Sequence, residues 1–312
     1  GMACHPQKQQ EERQGNDGEA GRKMKLAAVL LNYNDYEGTR AQLDRIRDFS
    51  LLSRIVIVDN HSSDGSGERL RELAGGKICF LSSRRNGGYG SGNDLGIRYA
   101  AKNLAATHVL VANPDAVFSE DCLGDMARLF IQREKAGAVS AVMRDRQGGA
   151  QKTAWPLRGF LPELLNSGPV CRRLFSRFID YPPSFFRGRG AVRVGVLHGS
   201  LLLLSAEAYL RSGGYDPKVF LYAEENILAR RLSERGYESY LLRGQSYYHE
   251  NSGTISRSIR TPTERQRLRQ ESERYYYRQY LGIKLPGQLL TLLFQWIVLL
   301  ETRILERCGV LR

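Results

Sequence analysis

Ile55-Val56-Ile57-Val58-Asp59-Asn60-His61-Ser62-Ser63-Asp64-Gly65-Ser66 is the stretch on which the fold turns. Four β-branched residues run without a polar break, then stop at an acid and an amide. Such runs read as strands buried on both faces, as parallel strands between helices are. Ser62 to Gly67 is turn and capping chemistry, and Glu68 to Leu73 begins a helix.

The same grammar repeats on either side. Leu26 to Leu31 is an apolar run ending in Asn32-Tyr33-Asn34-Asp35, followed by a helical stretch from about Tyr36 to Phe49. Ile78 to Leu81 is a third strand, after which the glycine-rich loop Asn86 to Gly92 leads into a helix reaching about Ala106. Thr107 to Ala112 is a fourth strand, ending at Asn113-Pro114-Asp115, and Ser119-Glu120-Asp121 opens another helix. Strands alternating with helices imply an α/β fold with a parallel, doubly wound sheet. Sheets of this kind bind ligands beyond the carboxyl ends of their strands. Asn32, Asp59-Asn60, Asn86 to Asn93 and Asn113 to Asp115 all fall at those ends, which points to a nucleotide site in the first half.

The whole chain has 312 residues, room for one large α/β domain with an appendage or for two small domains. Its formal charge of +13 speaks of partners: phosphates, nucleic acid or an anionic membrane surface. The five cysteines lack zinc-ligand or thioredoxin spacing and read as reduced thiols. Gly1 ahead of Met2 reads as a remnant of tag removal, and the polar residues 1–24 as a disordered tail. In the second half, residues 156–190 are rich in Pro, Gly, Phe and Arg and read as a long loop or lid beside the site. Val192 to Val196, Ser200 to Leu204 and Glu238 to Leu242 are strand-like, and Glu224 to Arg235 is a helix closed by Gly236. Thr263 to Tyr280 is a charged, aromatic helix and Leu289 to Leu300 a strongly apolar one.

Each polar motif has a chemical and a structural reading. Asp59 can accept from a pyrimidine imide or a ribose hydroxyl, or its segment can simply cap a helix. The Asn86 loop lets backbone approach a ligand at a helix N-terminus, where anions are favoured, or it is a tight turn. It is neither a Walker loop nor a clean dinucleotide fingerprint. Asp115 with substrate phosphates suffices for Mg2+ or Mn2+, or helps cap the next helix. Glu224 and Glu225 sit in a first helical turn, where the macrodipole favours acids; one of them could instead serve as a general base. His249 could bind metal or a phosphate oxygen.

In order, a strand ending Asn-Tyr-Asn, then VDNHSSDGS, NGGYGSGNDLG, NPD, HGSLLLLS, GGYDPKVFLYAEEN and HENSGTIS resembles the family 2 glycosyltransferases, and the rhamnosyltransferase-like branch most of all. The resemblance covers roughly residues 25 to 256. It implies a GT-A fold over 25–256, with a nucleotide-binding half (25–118) and an acceptor half (119–256), ahead of a helical segment at 257–312. It also implies a nucleotide-diphosphate sugar donor (dTDP- or UDP-linked, dTDP-rhamnose among the candidates), Mg2+ or Mn2+, and inverting transfer to a glycan or lipid-linked glycan in bacterial surface-polysaccharide synthesis. By similarity Asn32, Asn34, Asp59, Asn86, Gly88, Asn93, Asn113 and Asp115 should hold the nucleotide sugar, and Asp115 with His249 the metal. Gly213-Gly214-Tyr215-Asp216 resembles the segment before the acceptor site.

The departures lie mainly at the acceptor. Glu225 stands where the family usually has Asp, lengthening the side chain by roughly 1.5 Å. Misplacement on that scale can cost about a hundredfold in rate, so Glu224 is a second candidate base. Ile227, Asp94 and His198 also depart from commoner residues. A degenerate relative that binds nucleotide or glycan without transfer is the main alternative. A sugar-nucleotide pyrophosphorylase lacks support because no glycine-rich activation signature accompanies the first strand. A nucleic-acid binder rests on charge alone, with no recognised motif.

Leu289 to Leu300 is short of the roughly 20 apolar residues of a spanning helix. Thr291 and Gln295 leave a narrow polar stripe, and Arg257, Arg260, Arg265, Arg267, Arg269, Arg274 and Arg278 precede it with Tyr275 to Tyr277. Apolar, basic and aromatic residues together suit the surface of an anionic membrane, here the inner face of the cell membrane. A core helix or a homodimer contact is the alternative.

Overall fold

The computed structural model describes residues 24–249 and 261–311. The tail expected at 1–24, apart from Met24, and the Glu250 to Ser256 part of the last motif lie outside the described residues. The first half runs β1 (Leu26–Asn32), α1 (Tyr36–Ile46), β2 (Leu52–Asp59), α2 (Ser66–Arg71), β3 (Ile78–Ser82), α3 (Gly88–Asn103) and β4 (His108–Ala112). Next come β5 (Ala116–Val117), α4 (Glu120–Gln132), β6 (Ala136–Arg144) and β7 (Ala154–Trp155). A helical segment follows as α5 (Phe160–Ser167), α6 (Pro169–Leu174) and α7 (Ser176–Ile179). The chain continues through β8 (Ala191–Val194), β9 (Val196–Leu197), β10 (Leu201–Ser205), α8 (Ala206–Ser212), α9 (Glu224–Glu234) and β11 (Glu238–His249). It ends in α10 (Pro262–Tyr280) and α11 (Leu285–Arg307).

The main sheet has the order β3-β2-β1-β4-β10-β6-β11-β5, with β8 also paired to β11. β1 to β4 pair in parallel, as the apolar runs imply. β10 enters antiparallel between β4 and β6, while β11 runs parallel to β6, so the sheet is mixed and mostly parallel. Strand alternation supplies both cores. Ala28, Leu30, Ile55 and Ile57 point to one, and Ala27, Val29, Val56 and Val58 to the other.

Several readings need correction. Residues 156–190 are largely helical rather than one long loop. Gly159 and Gly168 end elements, and Pro169 opens α6 at a position whose N–H needs no helical partner. β6 is a full strand that small residues disguise, and β11 runs on to His249. The apolar helix is longer than Leu289 to Leu300. Among the described residues, α11 is the one helix whose 23 residues are long and apolar enough to cross a membrane, by length and composition.

α11 is turned inside out. Its buried residues are Thr291, Gln295, Val298 and Thr302, whereas Leu289, Leu293, Trp296 and Ile297 face outward. Polar bonds to α10 hold this orientation. Gln270 and Gln295 each donate to the other's carbonyl (2.8 and 3.3 Å), and Arg274 donates to Gln295 Oε1 (2.9 Å). A core-helix reading therefore fails.

α10 is tied to the sheet domain through Asp216, the last residue of the Gly213 motif. Its carboxylate accepts from the Tyr275 and Tyr280 hydroxyls (2.8 and 2.6 Å), from Arg231 and from the Lys218 amide. Leu164, Val219, Ile227, Tyr276 and Tyr277 pack as a third apolar cluster joining α5, α9 and α10. Burial alone would raise the Asp216 pKa, but Tyr280, the Lys218 amide, Tyr275 and Arg231 hold it below 3.8. A lowered folded pKa adds stability that is complete above the unfolded value and fades as pH falls through the folded one. Asp216→Ala should cost about 2–4 kcal/mol in denaturant unfolding at neutral pH. The difference from the parent should shrink below pH 3.8, and a variant as stable as the parent would mean that aromatic packing alone docks α10.

Candidate active site

The carboxyl ends of β1 to β4 meet in one polar floor. Asn32 Nδ2 faces Asp59 Oδ1, Ser66 Oγ and Ser62 Oγ at 2.9, 2.9 and 3.1 Å, while its Oδ1 accepts from Thr39. Asn32 is fully buried, with its amide bonded inside the chain, and it braces Asp59. Asp59 also accepts from the Ser62 amide, and Asn34 Oδ1 from the Ser63 amide. Asn34 is half-buried beside this turn, at φ 49°.

The glycine loop is locked from behind. Asn60 donates to Asn86 Oδ1 (2.9 Å) and to the Gly88 carbonyl, and the Gly88 amide donates to Asn86. Asn93 is 1 % exposed and donates to the Tyr89 carbonyl, while its Oδ1 has no hydrogen-bond partner. Gly88 lies at φ +84°, and a Cβ there would stand 1.8 Å from the Phe220 carbonyl oxygen. The loop thus presses on the segment before α9. There Tyr222 and Ala223 both take positive φ, 69° and 63°. Left-handed backbone at two non-glycine residues in succession is strained and tends to mark functional turns.

That turn delivers the two acids differently. Glu224 is buried with Oε2 lacking any hydrogen-bond partner, and burial followed by Glu225 raises its pKa strongly. Glu224 is thus enclosed, whereas its neighbour is not. Glu225 lines an open cavity of about 310 Å3 and accepts from the Gly199 amide at 3.3 Å. Burial raises its pKa as well. Gly199 packs closely here, since a Cβ would lie 3.1 Å from Tyr89 Oη and 3.3 Å from Glu225 Oε1.

Across from the glycine loop, the end of β11 places His249 Nε2 3.2 Å from Asp115 Oδ1. The His249 nitrogen lacks an aligned hydrogen bond although it is shielded from solvent. A shielded, unsatisfied imidazole nitrogen beside a carboxylate fits a divalent cation completed by donor phosphates and water, and the nitrogen ligand suits Mn2+ better than Mg2+. No group of three or more metal-binding side chains exists among the described residues, so the chain would supply a partial shell. Asn113 is half-buried at the end of β4, with its amide donating to the Ser200 carbonyl. His198 joins the two regions: its ring lies 5.7 Å from that of His249, and it lines the same cavity as Glu225. Burial, then His249, lowers its pKa to about 4, and Nδ1 accepts from the Ser200 amide. His198 is therefore neutral and carries its proton on Nε2.

The sequence reading did not anticipate the rest of the cavity wall. Lys152, Trp155, Arg158, Arg172, Arg269 and Glu273 come from distant segments and form no motif. Their one signal was the arginine content around residues 156–190 and 257–278.

A mostly parallel sheet with its polar floor at the strand ends, and an acid pair across from it, defines a GT-A-type nucleotide-sugar fold. The model of "Glycosyl transferase family 2" matches residues 28–191, and the chain belongs to that family. It is 26% identical over 201 residues to the low-salt glycan biosynthesis hexosyltransferase Agl10 of Haloferax volcanii, a match covering 64% of this chain and 59% of that protein. It is 24% identical over 216 residues to the N-acetylglucosaminyl-diphospho-decaprenol L-rhamnosyltransferase of Mycobacterium tuberculosis, covering 65% and 68%. Among solved structures the fold resembles GalNAc-T7 with UDP, GalNAc and Mn2+ (TM-score 0.54, 15% identity, 74% of this chain and 44% of that one). It also resembles the mannosyltransferase PcManGT of Pyrobaculum calidifontis with GDP-Man and Mn2+ (TM-score 0.52, 16% identity, 87% and 75%).

Gly88→Ala tests the lock. The positive φ and the backbone overlap should together cost more than about 2 kcal/mol in thermal unfolding. Parent-like stability would show that the loop can leave Phe220 freely.

Proposed function

We propose that the chain is an inverting glycosyltransferase. It moves a sugar from a nucleotide-diphosphate donor, dTDP- or UDP-linked with dTDP-rhamnose among the candidates, to a glycan or lipid-linked glycan acceptor. The setting is surface-polysaccharide synthesis at the cytoplasmic face of a bacterial membrane. The observation that carries this reading is Glu225, at the wall of an open cavity that His198 links to the Asp115–His249 pair.

The acceptor hydroxyl attacks the anomeric carbon, the bond to the donor's phosphate oxygen breaks, and Glu225 takes the hydroxyl proton. The Gly199 amide orients the Glu225 carboxylate, and the strained turn fixes its approach. Buried Glu224 keeps a second negative charge away from the base. Asp59 and Asn34, braced by Asn32, together with the Asn86–Gly88 loop, bind the nucleoside, and Asn113 and Asp115 lie by the diphosphate. Asp115 and His249 would hold Mg2+ or Mn2+, which when bound neutralises charge on the departing diphosphate.

Glu225→Gln should reduce transfer by at least about a hundredfold while thermal shifts with UDP, dTDP, GDP or CDP plus Mn2+ persist. Normal turnover by this variant would refute the base. A parent protein that binds nucleotide but never transfers would favour the degenerate-relative reading. Because burial raises the Glu225 pKa, activity should fall as pH drops through a value above 4.5. An acid limb at or below 4.5 would place the base elsewhere.

The same reading puts α11 on the membrane. Its outward leucines and Trp296 are flanked by Lys284, Arg303 and Arg307, and its inner face is committed to α10, so it lies on the bilayer instead of crossing it. Leu293→Glu with Trp296→Glu should abolish flotation with phosphatidylglycerol vesicles. If flotation is unchanged while a dimer dissociates, the face belongs to a second copy.

A further inference from the structure

Every residue from Arg172 to Phe178 is exposed, and α6 buries none of its side chains. Such a stretch has no core of its own, and short helices are marginal in water. It is held from its two ends instead. At the start, the Val170 amide donates to Glu301 of α11 at 2.7 Å, and Gly168 lies so near Val298 that a Cβ would stand 2.8 Å from it. At the finish Ile179 is buried, its carbonyl accepts from Arg158 at 2.6 Å, and Asp180 pairs with Arg158 and Lys152. Between them the Phe175 and Ile179 amides donate to the Cys171 and Phe175 carbonyls, which keeps the backbone helical across the break between α6 and α7.

This anchored tip presents apolar and basic groups together. Leu174 is 69 % exposed and Phe178 83 %, and at four residues apart they share a face. Arg173 and Arg177, also four apart, are interleaved with them and form no ion pair among the described residues. Asp180 is the one acid between Pro169 and Gly190, and it is committed to Arg158 and Lys152. The tip is also continuous with the outward face of α11. Ile297 and Ile304, four residues before and three after Glu301, lie on the flank of α11 that meets α6, and both are exposed.

We propose that the Arg173 to Phe178 tip is a second membrane-contact element, entering the interface of an anionic bilayer beside α11. It deepens the placement of α11 on the bilayer given above. Lipid suits the tip better than a protein does. A protein would have to supply carboxylates and apolar pockets matched to one short turn, whereas headgroups offer phosphates at any spacing and the acyl layer takes Leu174 and Phe178 without shape matching. Arginine stems lie along such a layer while their guanidinium groups reach the phosphates. A second contact off the α11 axis has a mechanical effect: one helix lying on a bilayer leaves the domain free to roll about it, and two contacts fix the roll.

The test uses the full chain and phosphatidylcholine vesicles with and without phosphatidylglycerol. Leu174→Ser with Phe178→Ser should weaken binding at least about tenfold. Arg173→Gln with Arg177→Gln should weaken it roughly thirtyfold on the phosphatidylglycerol vesicles alone. All four side chains are exposed, so both variants should melt with the parent, which separates a binding defect from misfolding. Insertion is read directly by Phe178→Trp in a Trp296→Phe chain. Brominated acyl chains should quench it beyond the Trp296→Phe chain alone, whose remaining tryptophan, Trp155, lines the cavity beside Glu225. Unchanged affinity in both variants, or no added quenching at position 178, overturns the element. A dimer that dissociates in Leu174→Ser with Phe178→Ser while vesicle affinity stays would assign the tip to a second copy and overturn it too. The placement of α11 can fail separately: quenching at position 178 that survives Leu293→Glu with Trp296→Glu upholds the tip and takes α11 off the bilayer. No donor, acceptor or metal enters these measurements, so the tip stands or falls independently of sugar transfer.

Discussion

The glycine loop and the Phe220 carbonyl approach so closely that no side chain fits between them. Much of the site is positioned by that contact. Asn60 and Asn86 hold the loop from the sheet side, while Phe220 meets it from the acceptor side, with the Tyr89 amide donating to the same carbonyl at 3.2 Å. Two residues later the backbone turns left-handed and α9 begins. The side of the molecule that would hold a nucleotide and the side that would hold an acceptor therefore share one rigid seam. The orientation of Glu225 toward the strand ends is inherited from it. Gly199 and Tyr89 complete the seam on its far side, with the Tyr89 hydroxyl donating to the Gly199 carbonyl at 2.7 Å.

How much could be read in advance followed from how the residues are buried. β1, β2 and β4 are covered on both faces, so their sequences are uninterrupted apolar runs and were legible at once. β6 is as deeply buried, but Ala136, Gly137, Ala138, Ser140 and Ala141 make room for Tyr237 and Leu232 rather than announce a strand. α5 to α7 carry the prolines and glycines of a loop, yet those residues mark helix boundaries there. The family motifs fall together at the strand ends, where Asn32, Asp59 and Asn60 form a polar floor. They say nothing of burial: Asn32 and Asn93 are almost fully enclosed, whereas Asn34 and Asn113 are half-buried. The cationic wall escaped notice for another reason. Its members sit in two stretches, Lys152 to Arg172 and Arg269 to Glu273, which meet where Arg269 of α10 reaches the Asn166 carbonyl of α5.

α11 shows how far a polar stripe can mislead. Thr291 and Gln295 form a narrow polar stripe in an otherwise apolar run. Both are buried: Gln295 grips α10, Thr291 donates to the Gly287 carbonyl of its own helix, and the leucines are left outside. Burying a glutamine is costly unless both ends of its amide are bonded. Here Gln270, Glu273 and Arg274 satisfy it, beside the apolar packing of Phe294 on the Tyr276 and Tyr277 cluster.

If α11 lies on a bilayer as proposed, its junction with α6, through Gly168 against Val298 and Val170 against Glu301, has a kinetic consequence. An enzyme lying on a bilayer by this face meets a lipid-borne acceptor by lateral diffusion in two dimensions. Its saturation would then follow acceptors per unit area, not moles per litre. Diluting the acceptor lipid with inert lipid at constant bulk concentration would slow such an enzyme, whereas adding solvent would leave the rate per vesicle unchanged.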